Sequence, residues 1–122
     1  MNGSCSKYII EKEQILEINN KFRSLGLSFK HSGTKLLNKA IQIILSSENE
    51  FFVLEDILDE LIEIYTNFNK TQIRMAMKYA LDHRNELLSK NNFQKVFNFE
   101  YDITTFETKN FLDEIVYAIS NF

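Results

Sequence analysis

Apolar residues recur every three to four positions over most of the chain. In residues 8–24, Ile10, Ile15, Leu16, Ile18 and Phe22 keep approximate helical spacing, with Glu and Lys between them. Gly26 follows Leu25 at the place of a left-handed helix C-cap. A short loop, Leu27 to Gly33, leads to a second predicted helix. There Leu36, Leu37, Ala40, Ile41, Ile44 and Leu45 form an amphipathic stripe that Ser46, Ser47 and Asn49 end. A third helix is expected from about Val53 to Tyr65, with Leu54, Ile57, Leu58, Leu61, Ile62 and Tyr65 on its apolar side. Thr66 to Asn69 reads as a turn, and Asn69 with Gln72 three residues later has the signature of a capping box. The fourth helix is expected to run to about Leu88, burying Ile73, Ala76, Met77, Ala80 and Leu81. Thr71, Met75, Lys78 and Asp82 then lie opposite, with Arg74 and Tyr79 on the flanks. A short helix from about Asn92 to Phe97 follows. Phe97, Phe99, Tyr101 and Ile103 alternate with polar residues as an extended segment would, and a last helix spans about Glu107 to Ser120. The expectation is an all-α fold, a compact bundle of five to six helices over residues 8–122, behind a flexible tail of residues 1–7.

Composition supports helices. The 122 residues include no proline and three glycines, too little punctuation for an all-β fold or a Gly-rich phosphate loop. This length makes one domain. The single cysteine, Cys5, excludes an intramolecular disulfide and fits a reducing compartment. No apolar run approaches the ~18–20 residues of a membrane span, and the polar start precedes no signal-like segment. A cytoplasmic protein without a membrane partner is expected.

Enzyme signatures are nearly absent. His31 and His83 are the two histidines, and neither has a second His or Cys at helical spacing. Cys5 has no neighbouring base to activate it. The acidic run Glu48, Glu50, Glu55, Asp56, Asp59, Glu60 and Glu63 lacks the alternating ligands and turn glycine of a calcium loop, so a solvated acidic face is the simpler reading. The aromatics from Phe93 to Phe106 have a single interleaved cation, Lys95, which favours core cover over base stacking. No catalytic residue, metal or cofactor is expected.

The charge pattern adds one feature. The whole chain carries −3, yet without the seven carboxylates from Glu48 to Glu63 the remainder carries +4. Directly after them the fourth helix shows Lys70, Arg74 and Lys78 near its N-terminal end. Helix, short turn and basic helix across residues 53–88 is the organisation of a helix-turn-helix, whose second helix enters the major groove. Any antiparallel helix pair with a basic face would share that outline.

A wider set of landmarks resembles the C-terminal effector domain of the stage-zero sporulation response regulators of firmicutes. These are Leu25-Gly26, His31 and Gly33, Leu37-Asn38-Lys39-Ala40-Ile41, Glu60-Leu61-Ile62 with Tyr65, the apolar frame Ile73, Ala76, Met77, Ala80 and Leu81, then Phe97 and Asn110-Phe111. The resemblance extends from about Ile9 to Ile119. It implies an all-helical domain of about six helices that binds short DNA boxes and touches RNA polymerase. The family's receiver domain has no counterpart here, so gating by phosphorylation in cis is not expected.

The chain departs from the family where bases are read. The family's recognition helix typically runs Ser-Arg-Val-Glu-Arg-Ala-Ile-Arg-His-Ala-Ile. Here the stretch is Thr71-Gln72-Ile73-Arg74-Met75-Ala76-Met77-Lys78-Tyr79-Ala80-Leu81. Arg74 stands for Glu, Met75 for Arg and Tyr79 for His, while Lys78 keeps its charge. An Arg–guanine contact contributes ~1–3 kcal/mol of discrimination that Met cannot supply.

The expected DNA-contacting set is therefore Lys70, Thr71, Gln72, Arg74, Met75, Lys78 and Tyr79 on a reading helix over residues 70–88. Lys35, Lys39 and Arg84 are candidate phosphate contacts. The alternative is a protein-interaction module that has lost DNA recognition, with Glu55, Asp56, Asp59, Glu60 and Glu63 as its face. Its candidate partners are RNA polymerase, the full-length regulator or a second copy of the chain.

Overall fold

The computed structural model describes residues 11–47 and 52–120. Within them lie six α-helices and one 3-10 turn: α1 (Lys12–Ser24), α2 (Ser32–Ser46), α3 (Leu54–Ile64), α4 (Lys70–Asp82), α5 (Glu86–Phe97), the turn Ile103–Phe106, and α6 (Thr108–Ser120). The described residues form no strand, and the fold is an all-α bundle. Ile10, Cys5, Glu48 and Glu50, and with them the expected tail and helix start at residue 8, lie outside the described residues. No helix among the described residues is long and apolar enough to cross a membrane.

α2 runs through the middle, against α4 above all and also against α6, α3 and α1. Its stripe delivers Leu36, Leu37, Ala40, Ile41 and Ile44 to the core, where they meet Phe22, Leu58, Ile73, Phe111 and Ile115. Gly33 allows α2 and α4 to approach closely, because a Cβ there would overlap the Ala76 carbonyl. α1 ends as the sequence predicts. Gly26 has φ +88, its N–H donates to the Arg23 oxygen at 3.0 Å, and Leu27 N–H returns to the Phe22 oxygen at 3.0 Å. Leu16, placed on the apolar side by spacing, is instead exposed.

The chain after Asp82 differs from expectation. The fourth helix stops at Asp82 with His83 as its cap and does not reach Leu88, and the short helix expected at Asn92 is the second half of α5. Asn85 starts α5, its side-chain oxygen accepting from the Leu88 N–H at 3.1 Å. The break serves the C-terminus of α1, whose last carbonyls need donors. Asn85 N–H donates to the Gly26 oxygen at 2.9 Å, the Ser89 hydroxyl to the Leu25 oxygen at 2.5 Å, and the Asn92 amide to the Ser24 oxygen at 2.8 Å.

The expected extended segment is shorter than its alternation suggests. Phe97 is the last residue of α5, Asn98 takes a left-handed conformation (φ 67), and Ile103 opens the 3-10 turn. Phe93 gathers the rings of Phe97, Phe99, Tyr101 and Phe106 at centroid distances of 4.7, 5.2, 5.2 and 5.9 Å. These aromatics cover the core.

Candidate nucleic-acid interface

Five residues, 65–69, separate α3 from α4. Tyr65 closes α3 through its N–H to the Leu61 oxygen at 2.8 Å. Asn69 opens α4 with both arms of a capping box: its side-chain oxygen accepts from Gln72 N–H at 2.8 Å, and its own N–H donates to Gln72 Oε1 at 2.9 Å. Phe68 and Ile73, one before and four after the cap, both pack against the core as a hydrophobic staple does. Ile73, Met77, Ala80 and Leu81 are fully buried and Ala76 is half-buried, so the rotation of α4 is fixed.

That rotation leaves Thr71, Gln72, Arg74, Met75, Lys78 and Tyr79 exposed, with Lys70 half-exposed. Met75 is 66% exposed, and nothing in the fold explains a methionine there. Gln72 is partly committed, since its side-chain oxygen completes the cap.

The cations of α4 are not free. Lys70 Nζ lies 3.1 Å from Glu55 Oε2 and 2.5 Å from Asp59 Oδ1. Arg74 pairs with Glu55 as well. Lys78 bonds to Asp82 one turn on, at 2.6 Å. The acidic helix thus divides: Glu55 and Asp59 turn to α4, while Asp56, Glu60 and Glu63 are exposed with no cationic partner among the described residues. Sequence spacing within α3 could not show that division, because the partners sit on another helix.

Tyr79 belongs to a ring cluster that sequence reading missed. Its ring stacks on His83 at 3.8 Å and meets the edge of His31 at 5.3 Å, while His83 Nδ1 lies 2.9 Å from the Tyr79 carbonyl oxygen. His31 lies 48 positions from Tyr79, so no local pattern signals the contact.

Arg84 is held inside the molecule's own network. Its guanidinium lies 3.7 Å from the Phe106 ring centroid and donates to the Leu81 oxygen at 2.9 Å, Ser89 Oγ at 2.9 Å and Tyr101 Oη at 3.1 Å. These contacts use three of the five guanidinium N–H donors, and they join α4, α5 and the aromatic cover.

Lys35 and Lys39 stand on α2, near Tyr65 at the end of α3. Both line a groove of about 390 Å³ with Asn19, Asn38, Gln42 and Tyr65. Gln42 donates to Asn38 at 2.6 Å and Asn38 to Asn19 at 2.7 Å, an amide chain tying α2 to α1. Among the described residues neither lysine has a carboxylate within ion-pair distance.

Compared with protein-family models, with curated proteins and with solved structures, the chain matches none of them.

Proposed function

We propose that the protein is a DNA-binding transcriptional regulator in which α4 reads the major groove of a duplex. The observation that carries the reading is the presentation of α4. A capped helix, fixed in rotation by its buried stripe, offers Thr71, Met75 and Lys78 to solvent, with Arg74 exposed beside Glu55 and Tyr79 exposed beside His31 and His83. Hydroxyl, guanidinium, ammonium and thioether groups on one exposed helix face suit base edges and thymine methyls. The order of landmarks shared with the sporulation effector domains supports the same reading. The changed positions, Arg74, Met75 and Tyr79, favour an operator that differs from the family's TGTCGAA-like box.

Selection of duplexes from a random library by the purified protein tests this. The expected result is a recovered site whose preference relaxes in Lys78→Ala and Met75→Ala at distinct base positions. Recovery of no common site, or of one indifferent to every α4 substitution, would remove α4 from recognition.

One observation favours a second reading, a protein-interaction module. Asp56, Glu60 and Glu63 face solvent unpaired beside Ile64, which is 49% exposed. A partner with a basic, partly apolar surface, RNA polymerase or the full-length regulator among the candidates, would fit this face. Charge reversal at Glu60 and Glu63 should then abolish binding to purified polymerase while leaving duplex binding unchanged or stronger.

A further inference from the structure

The charge of this chain is segregated more sharply than its net value suggests. From Ile18 to Ser47 there are five cationic residues, Lys21, Arg23, Lys30, Lys35 and Lys39, and no Asp or Glu. Lys21 pairs with Glu17 at 3.6 Å, but the other four have no carboxylate partner among the described residues. Phe29 joins them in space. Its ring lines the groove with Lys35 and Lys39, the Arg23 guanidinium lies 5.0 Å from its centroid, and Lys30 is its neighbour in the chain. On α4, by contrast, Lys70, Arg74 and Lys78 are all ion-paired within the molecule.

We infer that the phosphate backbone of duplex DNA is bound chiefly by this α1–α2 face, through Arg23, Lys30, Lys35 and Lys39, and that α4 contributes recognition rather than charge. The inference rests on the DNA-binding reading and assigns its electrostatic half to a different surface. Affinity for a duplex comes largely from releasing counterions at phosphates, which requires cations free to leave water for phosphate. A lysine already held by two carboxylates, as Lys70 is, must first give them up. Lys35 and Lys39, one helical turn apart on α2, have nothing to give up, and the groove between them is lined by uncharged amides that do not repel an anion.

The experiment is a salt titration of duplex binding by the whole chain. It compares wild type, the double variant Lys35→Ala/Lys39→Ala, the double variant Arg23→Ala/Lys30→Ala on the neighbouring segments, and Lys70→Ala. The expected result is that each double variant flattens the slope of log K against log salt by about 1 for each cation removed. Affinity at low salt then falls roughly tenfold or more, by the same counterion argument. Lys70→Ala keeps nearly the wild-type slope. Circular dichroism of each variant checks that Lys39, which is half-buried, has not been needed for folding. If wild type binds and both double variants keep its slope, this face is not the phosphate site while the DNA reading stands. If wild type binds no duplex at low salt, both fall together.

Discussion

An added methyl at Gly33 would meet the Ala76 carbonyl and the Ala80 side chain, so the α2–α4 approach depends on a missing side chain. Gly33→Ala is expected to destabilise the fold by about 1–3 kcal/mol, the range for overpacking a tight interior, readable by urea denaturation. A change within about 0.5 kcal/mol would mean that the helices can separate freely. Thr34 beside it is fully buried, and its hydroxyl has no hydrogen-bond partner among the described residues. Thr34→Val should therefore stabilise by about 1 kcal/mol in the same assay, and a loss instead would show that the hydroxyl is satisfied. Arg84→Ala should lower stability by about 2 kcal/mol, since it removes several charge-assisted bonds, and should leave the salt dependence of DNA binding unaltered. Burial, and secondarily the charge of Asp113, push the Glu114 carboxyl above the usual carboxylate range. A raised folded-state value penalises the ionised form, so its contribution to stability is lost as pH rises through that value. Glu114→Gln should accordingly raise the melting temperature at neutral pH, with the gain vanishing in acid. Gly26 announced its role from the sequence because a positive φ follows a helix end so often. Gly33 did not, because its reason lies on a helix more than forty positions away.

Helix α3 is acidic in sequence, and its separate uses appear only when α4 is packed beside it. Glu55 holds both Lys70 and Arg74, with Asp59 adding to Lys70. These carboxylates neutralise the two cations at the start of α4. Glu55→Gln should free Arg74, while Asp59 still holds Lys70, and so tighten duplex binding several-fold and steepen the salt slope by up to about 1. Its effect on folding stability should be small, because half-exposed ion pairs contribute only ~0–1 kcal/mol. Unchanged affinity would mean that Arg74 does not meet DNA. The ends of α3 and the start of α4 were legible because capping chemistry is local: Asn69 and Gln72 sit three apart. The break between α4 and α5 was not. Asn85 can cap a helix, but what makes it do so is the carbonyl end of α1, which local periodicity cannot show. The aromatic alternation after Phe97 misled for a similar reason, as those rings converge on Phe93 rather than line a strand.

Among the described residues, the α1–α2 face carries four cations without a carboxylate partner, α3 turns Asp56, Glu60 and Glu63 unpaired to solvent, and α4 has an exposed polar face whose cations are internally matched. The helical bundle follows from the periodicity alone, and the candidate reading helix from its cap and exposed stripe. The separation of charge between faces needed the packing, because it depends on which cation each carboxylate reaches. This arrangement suits a protein that is held on DNA by α1 and α2 and informed by α4. The most direct measurement is equilibrium binding of the purified wild-type chain to labelled duplexes, one carrying the TGTCGAA-like box and one scrambled, at low and high salt. The account predicts binding to duplex at low salt that weakens steeply as salt rises, with at most a modest preference for the box. Absence of binding to either duplex at low salt would contradict it and direct attention to Asp56, Glu60 and Glu63 as a surface for a protein partner.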